Sequence, residues 1–201
     1  MRILEERILE EGQVYPGEVL KVGSFLNQQI DTGLITEMGR EIASKFKDEG
    51  VTKILTIETS GIALAFATAQ ALGVPMIFAK KHKSNNLDPV LISTKVFSYT
   101  HQSTYDVVVS REFINSSDNI LIVDDFLAKG NAIMGLLEII ETADANCAGA
   151  AVAIEKGFQN GGKKIRDMGI KLLSLAIIES MTEDSLTLSV RIDINYLEAL
   201  I

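Results

Sequence analysis

The amino-acid sequence predicts an α/β fold in which helices cover both faces of a parallel β-sheet. Short, nearly continuous apolar runs recur along the 201 residues, as expected of strands that are buried on both faces. Amphipathic or alanine-rich segments of helical length separate most of these runs, and this alternation is typical of parallel sheets. The predicted strands are residues 53–57, 74–79, 120–123, 147–155 and 172–178.

Two helices are predicted ahead of the first strand. A short amphipathic helix covers residues 2–11, and its apolar side consists of Ile3, Leu4, Ile8 and Leu9. A second helix starts at a capping Asp31 or Thr32 and runs to about residue 48. Its buried stripe consists of Leu34, Ile35, Met38, Ile42 and Phe46. Between the helices we expect a turn at 15–17 and a short, partly extended segment at 19–26.

The middle of the chain contains a charge-free stretch, residues 59–79, that is long enough to span a bilayer. Because Gln70 and a Gly73-Val74-Pro75 turn interrupt it, we interpret it as a helix at 61–72, a turn and a strand. A further helix is predicted at 131–143. Residues 90–98 and 104–110 alternate apolar and polar side chains, which indicates a β-hairpin outside the main alternation.

The net charge and the cysteine content of the chain argue against some classes of protein. The formal net charge of −8 argues against a general nucleic-acid binder, which would be basic. The single Cys147 cannot form an internal disulfide, so a reducing compartment is expected. Acidic residues at positions 5 and 6 come too early for a secretory signal. We therefore expect a soluble, cytoplasmic protein that binds neither nucleic acid nor membrane.

The most informative motif follows the third predicted strand. The strand ends in Asp124 and Asp125, and a short loop then leads into a helix; the loop and helix start are Ala128, Lys129, Gly130, Asn131 and Ala132. Backbone N–H groups at a helix start bind phosphate, and small side chains let a ligand approach them. The carboxylates would instead accept hydrogen bonds, for example from sugar hydroxyls. A phosphorylated sugar satisfies both halves of the motif.

The same spacing has a plainer interpretation, in which the aspartates cap the strand and the loop only joins a strand to a helix. The pattern of a P-loop, Gly-x-x-x-x-Gly-Lys-Ser/Thr, is absent. The glycine pattern of dinucleotide-binding folds is absent as well, since the first strand leads into Glu58-Thr59-Ser60-Gly61.

The strand, the acidic pair and the loop resemble the ribose 5-phosphate-binding motif of the type I phosphoribosyltransferases. The loop Ala-Lys-Gly-Asn-Ala departs from the family's usual Thr or Ser with paired glycines and is similar to the xanthine-using branch. Further similar segments occur in the same order at residues 1–11, 19–22, 27–29, 58–63 and 154–158. The resemblance covers essentially the whole chain.

This resemblance implies a single domain over residues 1–201, with a parallel sheet core flanked by helices. Residues 1–35 would contribute to a small N-terminal hood over the base, and the β-hairpin would be a flexible loop. The implied reaction joins xanthine to 5-phosphoribosyl 1-diphosphate (PRPP), giving xanthosine 5′-monophosphate and pyrophosphate through an oxocarbenium-like transition state. Mg²⁺ would arrive on the pyrophosphate group with few protein ligands. A homodimer is also implied.

The resemblance assigns roles to particular residues. Asp124 and Asp125 would hold the ribose hydroxyls near the developing positive charge, and residues 128–132 would bind the 5′-phosphate. Pyrophosphate would be bound by the loop residues Thr59, Ser60 and Gly61 and by Lys81, which belongs to the cationic cluster at 80–83. The xanthine-binding residues would be Leu20, Asn27, Lys156 and Phe158.

Two other functions are compatible with the same motif. One is transfer to hypoxanthine or guanine instead of xanthine. The other is a PRPP-sensing regulator on the same fold, which would be expected to carry a DNA-binding domain or a basic RNA-binding face. Residues 1–30 contain only a short predicted helix and loop, and no basic face is evident from the sequence.

Overall fold

A six-stranded sheet forms the framework of the computed structural model, which describes residues 1–81, 90–98, 103–182 and 185–189. In chain order its strands are β3 (Lys53–Ile57), β4 (Met76–Ala79), β7 (Asn119–Leu127), β8 (Asn146–Lys156), β9 (Leu172–Thr182) and β10 (Ser185–Leu188). The spatial order is β10-β9-β8-β7-β3-β4. All pairs are parallel except β10 with β9. The predicted α/β class is confirmed, with one unpredicted antiparallel strand at the edge.

The N-terminal segment precedes this sheet. It contains α1 (Arg2–Glu11), the antiparallel pair β1 (Gln13–Tyr15) and β2 (Val19–Lys21), and a π-helical turn at Gly23–Asn27. Helix α2 (Thr32–Phe46) begins as predicted, since the Asp31 carboxylate accepts a hydrogen bond of 3.0 Å from the backbone of Leu34. It ends two residues before the predicted position.

Three further helices connect the strands: α3 (Gly61–Leu72), α4 (Asn131–Thr142) and α5 (Gly161–Asp167). The charge-free stretch at 59–79 is therefore the predicted helix and strand. Within the described ranges, no helix is both long and apolar enough to cross a membrane. Helix α5 was not predicted.

Apolar side chains fill two cores, one on each face of the sheet. The first contains the N-terminal segment, α2 and α3, represented by Leu4, Phe25, Met38 and Leu64. The second lies under α4 and α5 and includes Leu136 and Ile165. Burial on both faces explains why β3, β7 and β8 have continuous apolar sequences.

The hairpin formed by β5 (Leu91–Ser98) and β6 (Ser103–Ser110) lies outside the main sheet, as predicted. It packs on α4, where a Cβ on Gly135 would lie only 2.5 Å from Val96 Cγ2. A single bridge between Lys80 and Val108 joins β6 to the chain leaving β4. This arrangement brings the hairpin beside the loop that precedes α4.

Candidate active site

The carboxyl ends of β3, β7 and β8 meet at one edge of the sheet, where ligands bind in open α/β folds. A cavity of about 520 Å³ opens there. It is lined by the turn at 16–19, the hairpin residues Val96, Phe97 and Tyr105, residues 126–133, Lys156 and Gln159. Of the predicted site residues, the cavity brings together Ala128, Lys129, Gly130, Asn131, Ala132 and Lys156.

The predicted phosphate loop forms the entrance to α4. Gly130 caps the helix with φ of +86°, a left-handed conformation that favours glycine. The first turn of a helix leaves its N–H groups without intrahelical partners, and residues 131–133 of this turn line the cavity. The side-chain amide of Asn131 donates to the Phe97 carbonyl oxygen at 2.9 Å, which ties the loop to the hairpin.

Helix α5 supports this loop from behind. The Gly161 backbone N–H donates to the Ala128 carbonyl oxygen at 3.1 Å. A Cβ on Gly161 would lie 2.2 Å from that oxygen and 2.7 Å from the Gly130 nitrogen, so glycine permits the contact. No local pattern in the sequence predicts this support.

Helix α5 is in turn anchored to the end of β8. Arg166 donates two hydrogen bonds to the buried Glu155 carboxylate, at 2.8 and 2.7 Å, and Ser174 donates to the same carboxylate. Such bidentate pairs combine energy with geometric specificity. The phosphate loop therefore rests on a helix that is fixed next to Lys156.

The acidic pair lies inside strand β7, which continues to Leu127. The prediction that the strand ends at Asp124 is therefore wrong, because pairing of residues 124 and 126 with β8 extends the ladder. Both carboxylates are buried, and neither lines the cavity. Asp124 Oδ1 accepts a 3.0 Å hydrogen bond from the Asp125 backbone.

Burial raises the pKa of Asp124 well above its ordinary value, and the charge of Asp125 raises it further. The Lys81 ammonium acts in the opposite direction. Tyr105 lines the cavity and is also close enough to the acidic pair to be affected by its charge. Burial raises the pKa of the Tyr105 hydroxyl, and the charge of Asp124 raises it further. The Lys81 ammonium lies 5.6 Å from the same ring.

The predicted pyrophosphate loop follows β3 and contacts the acidic pair rather than the cavity. The Glu58–Thr59 peptide bond is cis, Thr59 is exposed and Gly61 is buried. A Cβ on Gly61 would lie 2.6 Å from Asp124 Oδ1. The Lys81 backbone N–H donates to the Glu58 carboxylate at 2.6 Å, so Lys81 is held beside this loop. Residues 82 and 83 of the cationic cluster lie outside the described residues.

The predicted base site is only partly assembled around the cavity. Lys156 lines it, whereas Leu20, Asn27 and Phe158 do not. Leu20 is buried in the first core, Phe158 packs against that core, and Asn27 ends the π-helical turn.

Glu18 accepts hydrogen bonds from the polar side chains of Lys156 and Gln159 at this end of the cavity. Its carbonyl oxygen accepts a 2.6 Å hydrogen bond from the Lys156 ammonium, and its carboxylate accepts one of 2.6 Å from the Gln159 amide. Burial lowers the pKa of Lys156, while the charge of Glu18 raises it. Within the described part of the chain, the side-chain amide oxygen of Gln159 is buried and has no hydrogen-bond partner. Gln159 directly follows residues 154–158, which resemble the family, so extending that segment by one residue would have included it. No local sequence pattern indicates that Glu18 or Tyr105 belongs to the site.

No group of three or more His, Cys, Asp or Glu side chains able to hold a metal ion occurs within the described part of the chain. The acidic pair supplies two carboxylates. A divalent ion here would need most of its ligands from a substrate or water.

Comparison with known proteins gives consistent results. Residues 24–179 match the family model described as "Phosphoribosyl transferase domain". The chain is 49% identical over 193 residues to xanthine phosphoribosyltransferase of Lachnoclostridium phytofermentans, covering 96% of this chain and all of that protein. It is 50% identical over 181 residues to the Clostridium novyi protein of the same name, covering 90% and 95%.

Solved structures agree in fold at low identity. Adenine phosphoribosyltransferase of Giardia lamblia, complexed with 9-deazaadenine, has a TM-score of 0.72 at 21% identity, covering 89% of this chain and 98% of that one. The Trypanosoma brucei enzyme, in complex with AMP, pyrophosphate and ribose 5-phosphate, has a TM-score of 0.73 at 15% identity, covering 98% and 92%. At these identities the likeness establishes the fold alone.

Proposed function

This chain belongs to the phosphoribosyl transferase domain family, and from that premise we propose that it converts xanthine and PRPP to xanthosine 5′-monophosphate and pyrophosphate. The observation that carries the proposal is identity of about half over at least 90% of the chain to proteins named xanthine phosphoribosyltransferase. The cavity and its phosphate loop supply a site of the required kind.

The chemistry of Lys156 supports an oxopurine as the base. An ammonium group donates hydrogen bonds and accepts none, so it suits a carbonyl oxygen of the base and not an amino group at the same position. Guanine and hypoxanthine also have an oxygen at position 6, so transfer to these bases is the alternative that Lys156 does not exclude. The proposed hood residues Leu20 and Asn27, with Phe158 stacking on the ring, would complete the site.

The proposed mechanism relies on positioning and charge. The first-turn N–H groups of α4 and the loop 128–132 bind the 5′-phosphate. Asp124 and Asp125 accept hydrogen bonds from the ribose hydroxyls and face the sugar as it gains positive charge. Once ionised in the substrate complex, the buried pair stabilises this charge strongly, because a low-dielectric environment screens charges less. No covalent intermediate with the protein is required.

The proposed site of the leaving pyrophosphate is the loop that follows β3, next to Asp124. Thr59, Ser60 and Gly61 follow β3, and Lys81 is fixed to the same loop by Glu58, so these groups together bind pyrophosphate. A Mg²⁺ ion carried by the diphosphate of PRPP would find at most the two carboxylates of the acidic pair as nearby protein ligands. When bound, the ion would neutralise charge on the departing pyrophosphate.

We also propose a homodimer and a cytoplasmic location. Both rest on the family resemblance, and the second also on the single Cys147. Light scattering coupled to size-exclusion chromatography tests the dimer, which a purely monomeric mass would refute.

The function is tested by incubating the protein with PRPP, Mg²⁺ and one base at a time: xanthine, guanine, hypoxanthine or adenine. We expect the highest kcat/KM with xanthine, less with guanine and hypoxanthine, and almost none with adenine. Lys156→Met is the matched variant, since it keeps the side-chain length and removes the donor. It should lose xanthine activity while keeping its affinity for PRPP. Equal or better turnover of adenine would refute the proposal, and PRPP binding without any nucleotide product would favour the regulator.

A further inference from the structure

Strand β3 carries a buried hydroxyl group, that of Thr56, close to the acidic pair. The side chain of Thr56 is fully buried, and its Oγ1 has no hydrogen-bond partner among the residues that the structure describes. Buried polar groups in native proteins nearly always have a partner, and an unpaired one destabilises the fold. Thr68, which is also fully buried, follows that rule by donating to the Leu64 carbonyl oxygen at 2.9 Å. The unpaired state of Thr56 therefore requires an explanation.

The position of Thr56 provides one. A Cβ on Gly61 would lie 2.3 Å from Thr56 Oγ1 and 2.6 Å from Asp124 Oδ1. The hydroxyl and the carboxylate oxygen therefore lie within about 5 Å of each other, and no hydrogen bond joins them. The missing side chain of Gly61 leaves the space between them unobstructed.

We propose that Thr56 is a positioning residue for Asp124, and that its hydroxyl donates to Asp124 Oδ1 once PRPP occupies the site. The proposal rests on the proposed function, because it requires Asp124 to face the ribose. In the substrate complex, hydroxyl donors and cationic charge favour the ionised carboxylate, and an ionised oxygen is the stronger acceptor. Thr56 and Asp124 belong to the neighbouring strands β3 and β7, so rotation of their side chains, without movement of the backbone, would bring the two oxygens together. The Thr56 hydroxyl is thus a donor to Asp124 in the complex with PRPP.

Three substitutions separate this role from a structural one. Thr56→Val keeps the branched shape and removes the hydroxyl, Thr56→Ser keeps the hydroxyl, and Thr68→Val removes a hydroxyl that is already paired. Each protein is melted with and without PRPP and Mg²⁺, and kcat and KM are measured with the best base of the wild type. Should Thr56→Val not fold, Thr56→Cys replaces it, because a thiol is a weak donor of similar size.

The positioning role predicts opposite effects on stability and activity. Without ligand, Thr56→Val should melt no lower than the wild type, because no hydrogen bond is lost. Its kcat should fall about tenfold, and PRPP should raise its melting temperature less than it raises that of the wild type. Thr56→Ser should retain kcat within about threefold. Thr68→Val should show the reverse pattern, with a lower melting temperature and unchanged kcat.

Two results would overturn the inference: a folded Thr56→Val protein with wild-type kcat and wild-type stabilisation by PRPP, or equal losses in the Val and Ser variants. The melting experiment distinguishes this failure from failure of the proposed function. If PRPP stabilises the wild type but no base is converted, the proposed function fails, while the PRPP-induced shifts still decide the role of Thr56. If PRPP does not stabilise the wild type, both proposals fail.

Discussion

Replacing Gly161 by alanine should impair PRPP binding although this residue lies outside the phosphate loop. The new Cβ would lie 2.2 Å from the Ala128 carbonyl oxygen and 2.7 Å from the Gly130 nitrogen. Because non-bonded heavy atoms settle roughly 3.5 Å apart, the loop must retreat by roughly 1 Å. Misplacement on this scale costs up to about a hundredfold in rate. We therefore expect kcat/KM for PRPP to fall by about that factor.

The loss should appear mainly in KM. Contacts to the 5′-phosphate exist in both the ground state and the transition state, and loss of such contacts raises KM with little change in kcat. Initial rates at varied PRPP and saturating xanthine measure both constants. Calorimetric titration with PRPP gives the affinity independently.

Neighbouring glycines provide the controls. A Cβ on Gly162 would lie 1.8 Å from Glu155 Oε1, so Gly162→Ala should disturb the Glu155–Arg166 pair and lower the melting temperature more than the affinity for PRPP. Gly33, near the start of α2, meets only Asp31 Oδ1 at 3.4 Å, so Gly33→Ala should be nearly neutral. A folded Gly161→Ala protein whose KM for PRPP stays within about threefold of the wild type would refute the supporting role of α5.

Three further predictions concern the site itself. Gly130→Val should strongly weaken PRPP binding, because residue 130 has a positive φ and lines the cavity. Lys129→Ala should weaken binding only modestly, because the backbone N–H donors remain. Calorimetric titration with PRPP measures both effects, and a melt without ligand serves as the control for folding. The double change Asp124→Asn and Asp125→Asn should lower kcat by at least about a hundredfold, and a folded double variant with near-normal kcat would show that the carboxylates are structural. Since burial lowers the pKa of Lys156, its ammonium is charged below that pKa and neutral above it. The kcat/KM for xanthine should therefore fall as the pH rises through a value below that of an exposed lysine, and Lys156→Arg should remove this alkaline decline, which a pH profile would test.

Much of the fold is encoded in local sequence. The bounds of β3 and α3 match the predicted ones residue for residue, because an apolar run and an alanine-rich helix are each delimited by polar or glycine residues. The Asp31 cap fixed the start of α2 in the same way. The order of strand, loop and helix at residues 119–142 was also predictable, since the apolar run, the small residues and the helix are contiguous in sequence.

Tertiary structure decided the rest. The sequence places Asp124 at the end of an apolar run, but pairing with β8 carries β7 through the acidic pair to Leu127. Helix α5 begins with two glycines and spans only seven residues, so its propensity is weak, and the Glu155–Arg166 pair anchors it.

The contacts that shape the two ends of the site join residues far apart in sequence. Glu18 and Lys156 form a hydrogen bond although they are 138 positions apart in the sequence. Thr56 lies near Asp124 because β3 and β7 are neighbours in the sheet. Local periodicity reports which side of an element is buried, but it contains no information on which buried surfaces meet. Tertiary packing decides which surfaces meet, and in the described ranges it leaves the Thr56 hydroxyl without a hydrogen-bond partner beside the acidic pair.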